Sequence, residues 1–249
     1  MRRIRITISY DGTQYHGWQV QPGVATIQRT LEEVLSEIEG GVVHVDGSGR
    51  TDAGVHALAQ VGAFRLTNPI PLPNLKQAMN RLLPRDIRIL DVAEVDASFH
   101  PRYDAVAKTY EYRLLRAEIC PPFDLRFVHH YPYPLDEVRM TAAARQLEGE
   151  HDFTAFAAAD PKDATGRSKV RRIFSSCLMR ENDRLIYRVR GSRFLKHMVR
   201  NVVGVLLEVG KGNLGSADIE SRLTPGCRIP SGPSAPARGL FLVSVEYGE

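Results

Sequence analysis

Asp52 is the acid in this chain whose surroundings most suggest chemistry. It lies in the run Gly47-Ser48-Gly49-Arg50-Thr51-Asp52-Ala53-Gly54-Val55-His56, with a guanidinium two residues before it and glycines on both sides. Glycine tolerates positive φ and lets a ligand come close to the backbone. An acid displayed on such a loop is placed to act on a ligand and not to fill a core. The plain alternative is an aspartate that caps a turn. Two phosphate-loop readings fail. Gly49 and Gly54 have the spacing of a P-loop, but Val55-His56 stand where Lys and Ser or Thr are required. The Gly47 and Gly49 pair meets Asp52 where the third Rossmann glycine belongs.

The second chemical feature is charge. The whole chain carries a formal +4, yet the stretch from Arg167 to Arg200 holds nine Arg and two Lys against Glu181 and Asp183. Such a concentration reads as the footprint of a polyanion; the alternative is a solvated charged face. Arginine forks onto phosphate and stacks on bases as lysine cannot, although Arg outnumbers Lys throughout, 27 to 6, and composition explains part of the preference. Lys169, Arg171, Arg172, Arg188 and Arg190 are the candidates for phosphate contacts, which position a nucleic acid without specifying its sequence. Only alternate members of a strand over 184–190 can share one face.

The remaining composition narrows the class. A chain of 249 residues suffices for one large domain or two small ones. Its apolar and charged fractions, 43% and 25%, are those of a globular protein. No apolar run reaches the length of a membrane span. Met1-Arg2-Arg3-Ile4-Arg5 leads straight into an alternating strand and lacks the apolar core of a signal peptide. Cys120, Cys177 and Cys227 are odd in number and far apart, which fits a reducing cytoplasm and neither a disulfide framework nor metal spacing. The eight histidines form no H-x-x-x-H pair, and His129-His130 sits in a Pro- and Tyr-rich loop. No metal site is expected.

These residues must be positioned by regular elements. Ile4, Ile6 and Ile8 alternate with Arg5, Thr7 and Ser9 as a half-buried strand. Thr26 caps a helix with Ile27, Leu31, Val34, Leu35 and Ile38 on one face, ended by Gly40-Gly41. Strands over 42–45 and 55–66 flank the Asp52 loop. A helix over 74–83, stopped by Pro84, and a strand over 87–95 follow. The second half reads similarly: a strand over 109–115, a helix over 136–147, a hairpin of 170–180 and 184–189 across Asn182-Asp183, a strongly apolar helix over 194–209, and a last strand over 240–246. Pro225 to Pro236 is a surface-shaping loop. The expectation is an α+β protein of two ferredoxin-like or RRM-like halves, with antiparallel sheets joined in one catalytic domain and helices covering one face. The boundaries are 1–104, carrying the Asp52 loop, and 105–249, carrying Tyr110, the basic patch and Arg200.

The run from Gly49 to Ala57 resembles the active-site motif of the TruA-type tRNA pseudouridine synthases. Four further islands follow that family in the same order: Tyr10-Asp11-Gly12-Thr13 with Gly17-Trp18-Gln19, Lys108 to Arg113, Phe194 to Asn201, and Gly239 to Leu242. The ordered set spans nearly the whole chain. Ser48 and Ala155 are small departures from the pattern. The resemblance implies isomerisation of uridine to pseudouridine at positions 38, 39 and 40 of the tRNA anticodon arm, without cofactor or metal, by a cytoplasmic homodimer whose two subunits share one tRNA. It also implies roles. Asp52 matches the catalytic aspartate, Tyr110 the tyrosine that stacks on the target uracil, Arg200 the arginine that pairs with the aspartate, and Leu240 the apolar residue that closes over the base.

The physics of each role stands beside the resemblance. An opposite charge at Arg200 favours the ionised form of Asp52 in a pocket whose dryness disfavours it; the alternative is a charge at a helix end. Tyr110 and Tyr112 alternate on one strand, so either is able to serve as core, and only the family match selects Tyr110. Leu240 alternatively begins a core strand. A uridine in a stem is reached only after flipping, at a cost of a few kcal/mol. Arg50 is expected to enter the RNA beside the extruded base, or else to pair with a neighbouring acid. Two other classes compete. A non-catalytic RNA-binding module accounts for the sheets and the patch, but not for a lone glycine-framed Asp without an RNP1-type aromatic run. A phosphoryl-transfer protein lacks its Lys-Ser/Thr and its acidic cluster for Mg²⁺.

Overall fold

Ile4, Ile6 and Ile8 are fully buried, whereas Arg5, Thr7 and Ser9 between them are half-exposed. That alternation is the first strand, β1 (Arg2–Tyr10), of a computed structural model that describes residues 1–159, 166, 168–227, 229 and 232–248. The contacts gather into two compact units, Met1–Val106 with Phe241–Glu249, and Ala107–Leu240. The class is α+β, with ten strands and five α-helices among the described residues. Among the described residues no helix is long and apolar enough to cross a membrane.

In the first unit the order is β1, α1 (Ile27–Glu39), β2 (Asp46–Gly47), β3 (His56–Leu66), α2 (Leu72–Leu82) and β4 (Ile87–Val95). β1 lies between β3 and β4, antiparallel to both. One edge of β3 takes β2 at Gly62 and Ala63 and, in parallel, the last strand β10 (Leu240–Tyr247) at His56 and Ala57. Thr26 caps α1 by accepting from the Arg29 N–H, and Gly40 ends it at φ 75°. The helix buries Ile27, Leu31, Val34 and Leu35, and α2 buries Leu75 and Met79.

The strand expected over 42–45 does not form a ladder. Val43 and Val45 are buried, but their N–H groups donate to Ser36 Oγ and Glu32 Oε1 of α1, at 3.0 Å each. The Val45 carbonyl accepts from Gln28 Nε2 at 3.0 Å. A helix flank thus satisfies the backbone that a neighbouring strand was expected to satisfy, and true pairing is confined to β2.

The second unit runs β5 (Ala105–Leu115), β6 (His129–His130), α3 (Glu137–Arg145), β7 (Gly149–Asp152), β8 (Val170–Glu181), β9 (Arg184–Gly191), α4 (Met198–Gly210) and α5 (Ser216–Leu223). Its sheet has the order β5-β9-β8-β7, all antiparallel, with β6 parallel to β5. The hairpin turns at Asn182, whose φ of 53° suits an Asn. His129-His130, read as loop, pairs with Leu114 and Leu115, and β7 and α5 had no clear signal in the sequence.

α4 is buried on nearly every side, which explains its all-round apolar sequence. A Cβ at Gly204 would lie 2.1 Å from the Pro233 carbonyl oxygen, so glycine is what lets the following loop cross the helix. The helix starts four residues later than its apolar pattern suggests, because His197 adopts φ 60° and left-handed backbone cannot extend a right-handed helix. Arg167, the first residue of the basic stretch, and Arg228, Pro230 and Ser231 of the 225–236 loop lie outside the described residues.

Candidate active site

The Asp52 loop is clamped from both sides by the segment from Tyr10 to Trp18. Before Asp52, the Trp18 N–H donates to the Thr51 carbonyl at 3.1 Å, and the Tyr10 hydroxyl bonds Thr51 Oγ1 at 2.8 Å. After it, the Gly54 N–H donates to the Tyr15 carbonyl at 3.2 Å. Asp52 itself closes the turn, its carbonyl accepting from the Val55 N–H at 3.1 Å, and the residue is half-exposed. Burial pushes the Tyr10 hydroxyl strongly up, which keeps it a neutral partner for Thr51.

The glycines of this region mark close approaches. A Cβ at Gly17, whose φ is 87°, would sit 2.5 Å from the Thr51 carbonyl oxygen. One at Gly47 would sit 2.5 Å from the Trp18 indole. Gly54 uses its freedom directly, at φ 75°. From β3, fully buried Gln60 holds the other limb: its Oε1 accepts from the Ser48 hydroxyl at 2.5 Å and its Nε2 donates to the Gly49 carbonyl at 3.0 Å. Ser48, a departure at the sequence level, is therefore a buried anchor. His56 is buried too, accepting from the Gly12 N–H at 3.1 Å, 3.2 Å from Asp11 Oδ1 and stacked on Phe241 at 4.7 Å. The sequence singled out none of Tyr10, Gln60 and His56. Tyr10 and His56 lie within the motif islands, where the glycines gave away only that something comes close, whereas Gln60 lies outside them.

Arg50 is exposed, and no hydrogen bond or ion pair joins it to another described residue. It shares the Asp52 loop and the first unit. The other candidates belong to the second unit. Tyr110 is largely buried on β5 with its ring edge-on to Phe194 at 4.9 Å. Tyr112 is fully buried, donates its hydroxyl to the Pro236 carbonyl at 2.8 Å, and fills the space that glycine leaves at Gly239. Burial holds its proton on. Of the two tyrosines, Tyr112 is the one committed to structure.

Arg200 leaves α4 and donates from Nε to the Ala235 carbonyl at 2.8 Å, while the Ala235 N–H returns a bond to the Arg200 carbonyl at 3.1 Å. One residue on, Asn201 donates to the Phe156 carbonyl at 2.8 Å and accepts from the Ser234 hydroxyl. The two side chains pin the loop before Leu240, which is buried at the start of β10.

The basic candidates separate. Arg188 and Arg190 alternate on β9, and Arg190 and Arg172 both lie over the exposed Phe174 ring, which places them on one face. Arg188 bonds Glu111 on the neighbouring strand, its Nε 2.9 Å from Oε1, and Arg113 adds a second bond at 3.1 Å. Burial alone raises the Glu111 carboxyl, but the two guanidiniums outweigh it and hold it below the usual range. Arg171 turns away: its Nη1 donates to the Ser168 and Val170 carbonyls. Lys169 is half-buried at the entry to β8.

The sequence model of the tRNA pseudouridine synthase family matches residues 6–104 and 143–248. The chain belongs to that family. The match holds Arg50 and Asp52 in its first segment and Arg200 and Leu240 in its second, with Tyr110 between the two. Among relatives, the tRNA pseudouridine synthase A of Solibacter usitatus (strain Ellin6076) is 64% identical over 249 residues, covering 99% of this chain and all of that protein. The enzymes of the same name from Geotalea uraniireducens (strain Rf4) and Syntrophotalea carbinolica (strain DSM 2380 / NBRC 103641 / GraBd1) are 44% and 42% identical, each over 99% of this chain and 100% and 97% of their own lengths. Members of this family are isomerases, and the chain is an enzyme of that class.

Proposed function

We propose that this chain isomerises uridine to pseudouridine at positions 38, 39 and 40 of the tRNA anticodon arm, with Asp52 as nucleophile or base on a flipped-out uridine. The observation that carries the reading is the clamp on the Asp52 loop. Backbone and buried side chains fix residues on both sides of the carboxylate, which is the preorganisation that a reacting group needs. In a chain of this family such a loop is the natural seat of the chemistry.

The reaction balances without an added group. The N1–C1′ bond breaks, the uracil turns, C5 bonds to C1′, the C5 proton leaves and N1 gains one. Asp52 attacks C1′, adds to the ring, or takes a C2′ proton; each needs its carboxylate ionised. In this reading Arg200 favours that ionised form, Tyr110 stacks on the target uracil, and Leu240 closes over it. Arg50 enters the RNA beside the extruded base. Lys169, Arg171, Arg172, Arg188 and Arg190 meet phosphates, to different degrees given their different protein partners. The working enzyme is a cytoplasmic homodimer, in which two basic faces serve one tRNA and binding weakens steeply with salt.

The test is tritium release from tRNA labelled at uridine C5, with tRNA binding followed in parallel. Release by the native chain that vanishes in Asp52→Ala, while binding survives, supports the reading. Tight binding with no release by either protein makes the chain an RNA-binding relative and its Asp52 loop a structural turn.

A further inference from the structure

The outer face of the β8–β9 hairpin carries an aromatic side chain that the core does not use. Phe174 is 40% exposed, and the β8–β9 ladder shifts register between Ile173 and Ser175. A bulge of this kind leaves one residue out of the pairing and re-aims its side chain; Phe174 is that residue. Two guanidiniums converge on it, with Arg190 Cζ 4.9 Å and Arg172 Cζ 6.0 Å from the ring centroid. A single exposed phenylalanine is ordinary on a protein surface. One lifted out by a bulge and flanked by two planar cations is a layered surface with positive charge around it.

That combination selects a ligand. An apolar protein partner would have to desolvate both guanidiniums, whereas a nucleobase brings its own phosphates. Bases stack on aromatic rings and on guanidinium planes alike, so the shape and the charge call for the same occupant. We infer that Phe174, with Arg172 and Arg190, is a stacking platform for an unpaired nucleobase of the RNA substrate, a base other than the reacting uridine. The inference rests on the synthase reading for the identity of the RNA, and not for the platform itself.

The experiment measures binding of the native chain, Phe174→Ala, Phe174→Trp, Arg190→Lys and Arg190→Ala to an anticodon-arm stem-loop and to a fully paired duplex of equal length. With Phe174→Ala the stem-loop affinity falls about tenfold, as loss of one stacked base implies, while duplex affinity changes less than about twofold and the salt dependence is unchanged. Phe174→Trp restores stem-loop binding. Arg190→Lys keeps the salt slope but weakens the stem-loop, because the charge stays and the plane goes; Arg190→Ala lowers the slope by about one. Melting temperatures equal to the native value exclude misfolding. If Phe174→Ala binds the stem-loop as the native chain does, or loses stem-loop and duplex equally, the platform is refuted. A native chain that binds the stem-loop through Phe174 but releases no tritium keeps the platform and loses the synthase reading. A native chain that releases tritium and is indifferent to Phe174→Ala does the reverse.

Discussion

Around Asp52, the fixing groups are backbone amides and carbonyls, buried glycines and a glutamine with both ends of its amide engaged. Along β8 and β9, they are long cationic side chains lying over an exposed ring or reaching a neighbouring carboxylate. The first region is fixed by close steric contact; the second is a set of charged side chains around an exposed ring. Proposed as a catalytic loop and an RNA-facing hairpin, the two divide the work as their physics suggests. Chemistry needs position, and a polyanion needs charge. Substitutions in the first region should therefore act in an all-or-none way, and those in the second in graded, nearly additive steps.

The largest expected effect sharpens that contrast. Asp52→Ala should cut tritium release by more than about a thousandfold, the scale of losing a reacting group, with tRNA affinity within a few-fold of native. A comparable loss of affinity would mean that the loop binds rather than reacts, and the comparison would break. Next comes Gly17→Ala, which touches no substrate in this reading. Its methyl would press on the Thr51 carbonyl at a backbone conformation that alanine resists. Turnover should fall about a hundredfold through misplacement of the carboxylate, and calorimetry should show destabilisation of roughly 1–3 kcal/mol. An unchanged rate would show that the clamp does not position the acid.

Glu111→Gln probes the join between structure and charge. The native carboxyl is held below its ordinary value of 4.5, chiefly against the opposing effect of burial, by Arg188 and Arg113. A depressed folded pKa contributes stability that is complete above the unfolded value and is lost as pH falls through the folded one. The native melting temperature should therefore drop on acidification below about pH 4.5 more than that of Glu111→Gln, which at pH 7 should be less stable by roughly 1–2 kcal/mol. Parallel acid profiles would rule this out. The smallest effect is expected at Arg172→Ala: a few-fold weaker tRNA binding, and a salt slope lower by about one. A much larger loss would mean that Arg172 supplies more to RNA binding than one charge and a share of the platform.

Local signals carried much of the fold. Thr26 and Gly40 bracket their helix, the isoleucines at 4, 6 and 8 face the core, and Asn182 turns the hairpin as residue type and spacing imply. Several of the misses trace to a partner distant in sequence. Val43 and Val45 have strand chemistry, but side chains of α1 satisfy their backbone. The apolar run from Phe194 reads as helix until His197, whose left-handed backbone no hydrophobic pattern reveals. The Asp52 loop was legible as a motif because its own residues are unusual, whereas its walls, Tyr10 and Gln60, are ordinary residues that matter for where they point. Phe174 escaped notice for the same reason, since a bulge is a property of two strands together.

Trp18 and Gly47 occupy, in effect, a single volume. The indole fills the space that any side chain at position 47 would need, so position 47 is not free to change alone. The motif around Asp52 is for that reason not portable: grafted into another scaffold without the segment from Tyr10 to Trp18, it would arrive lacking the wall against which it is shaped. Within this chain the same constraint makes an alanine at 47 accessible only after the ring at 18 shrinks, as in Trp18→Phe.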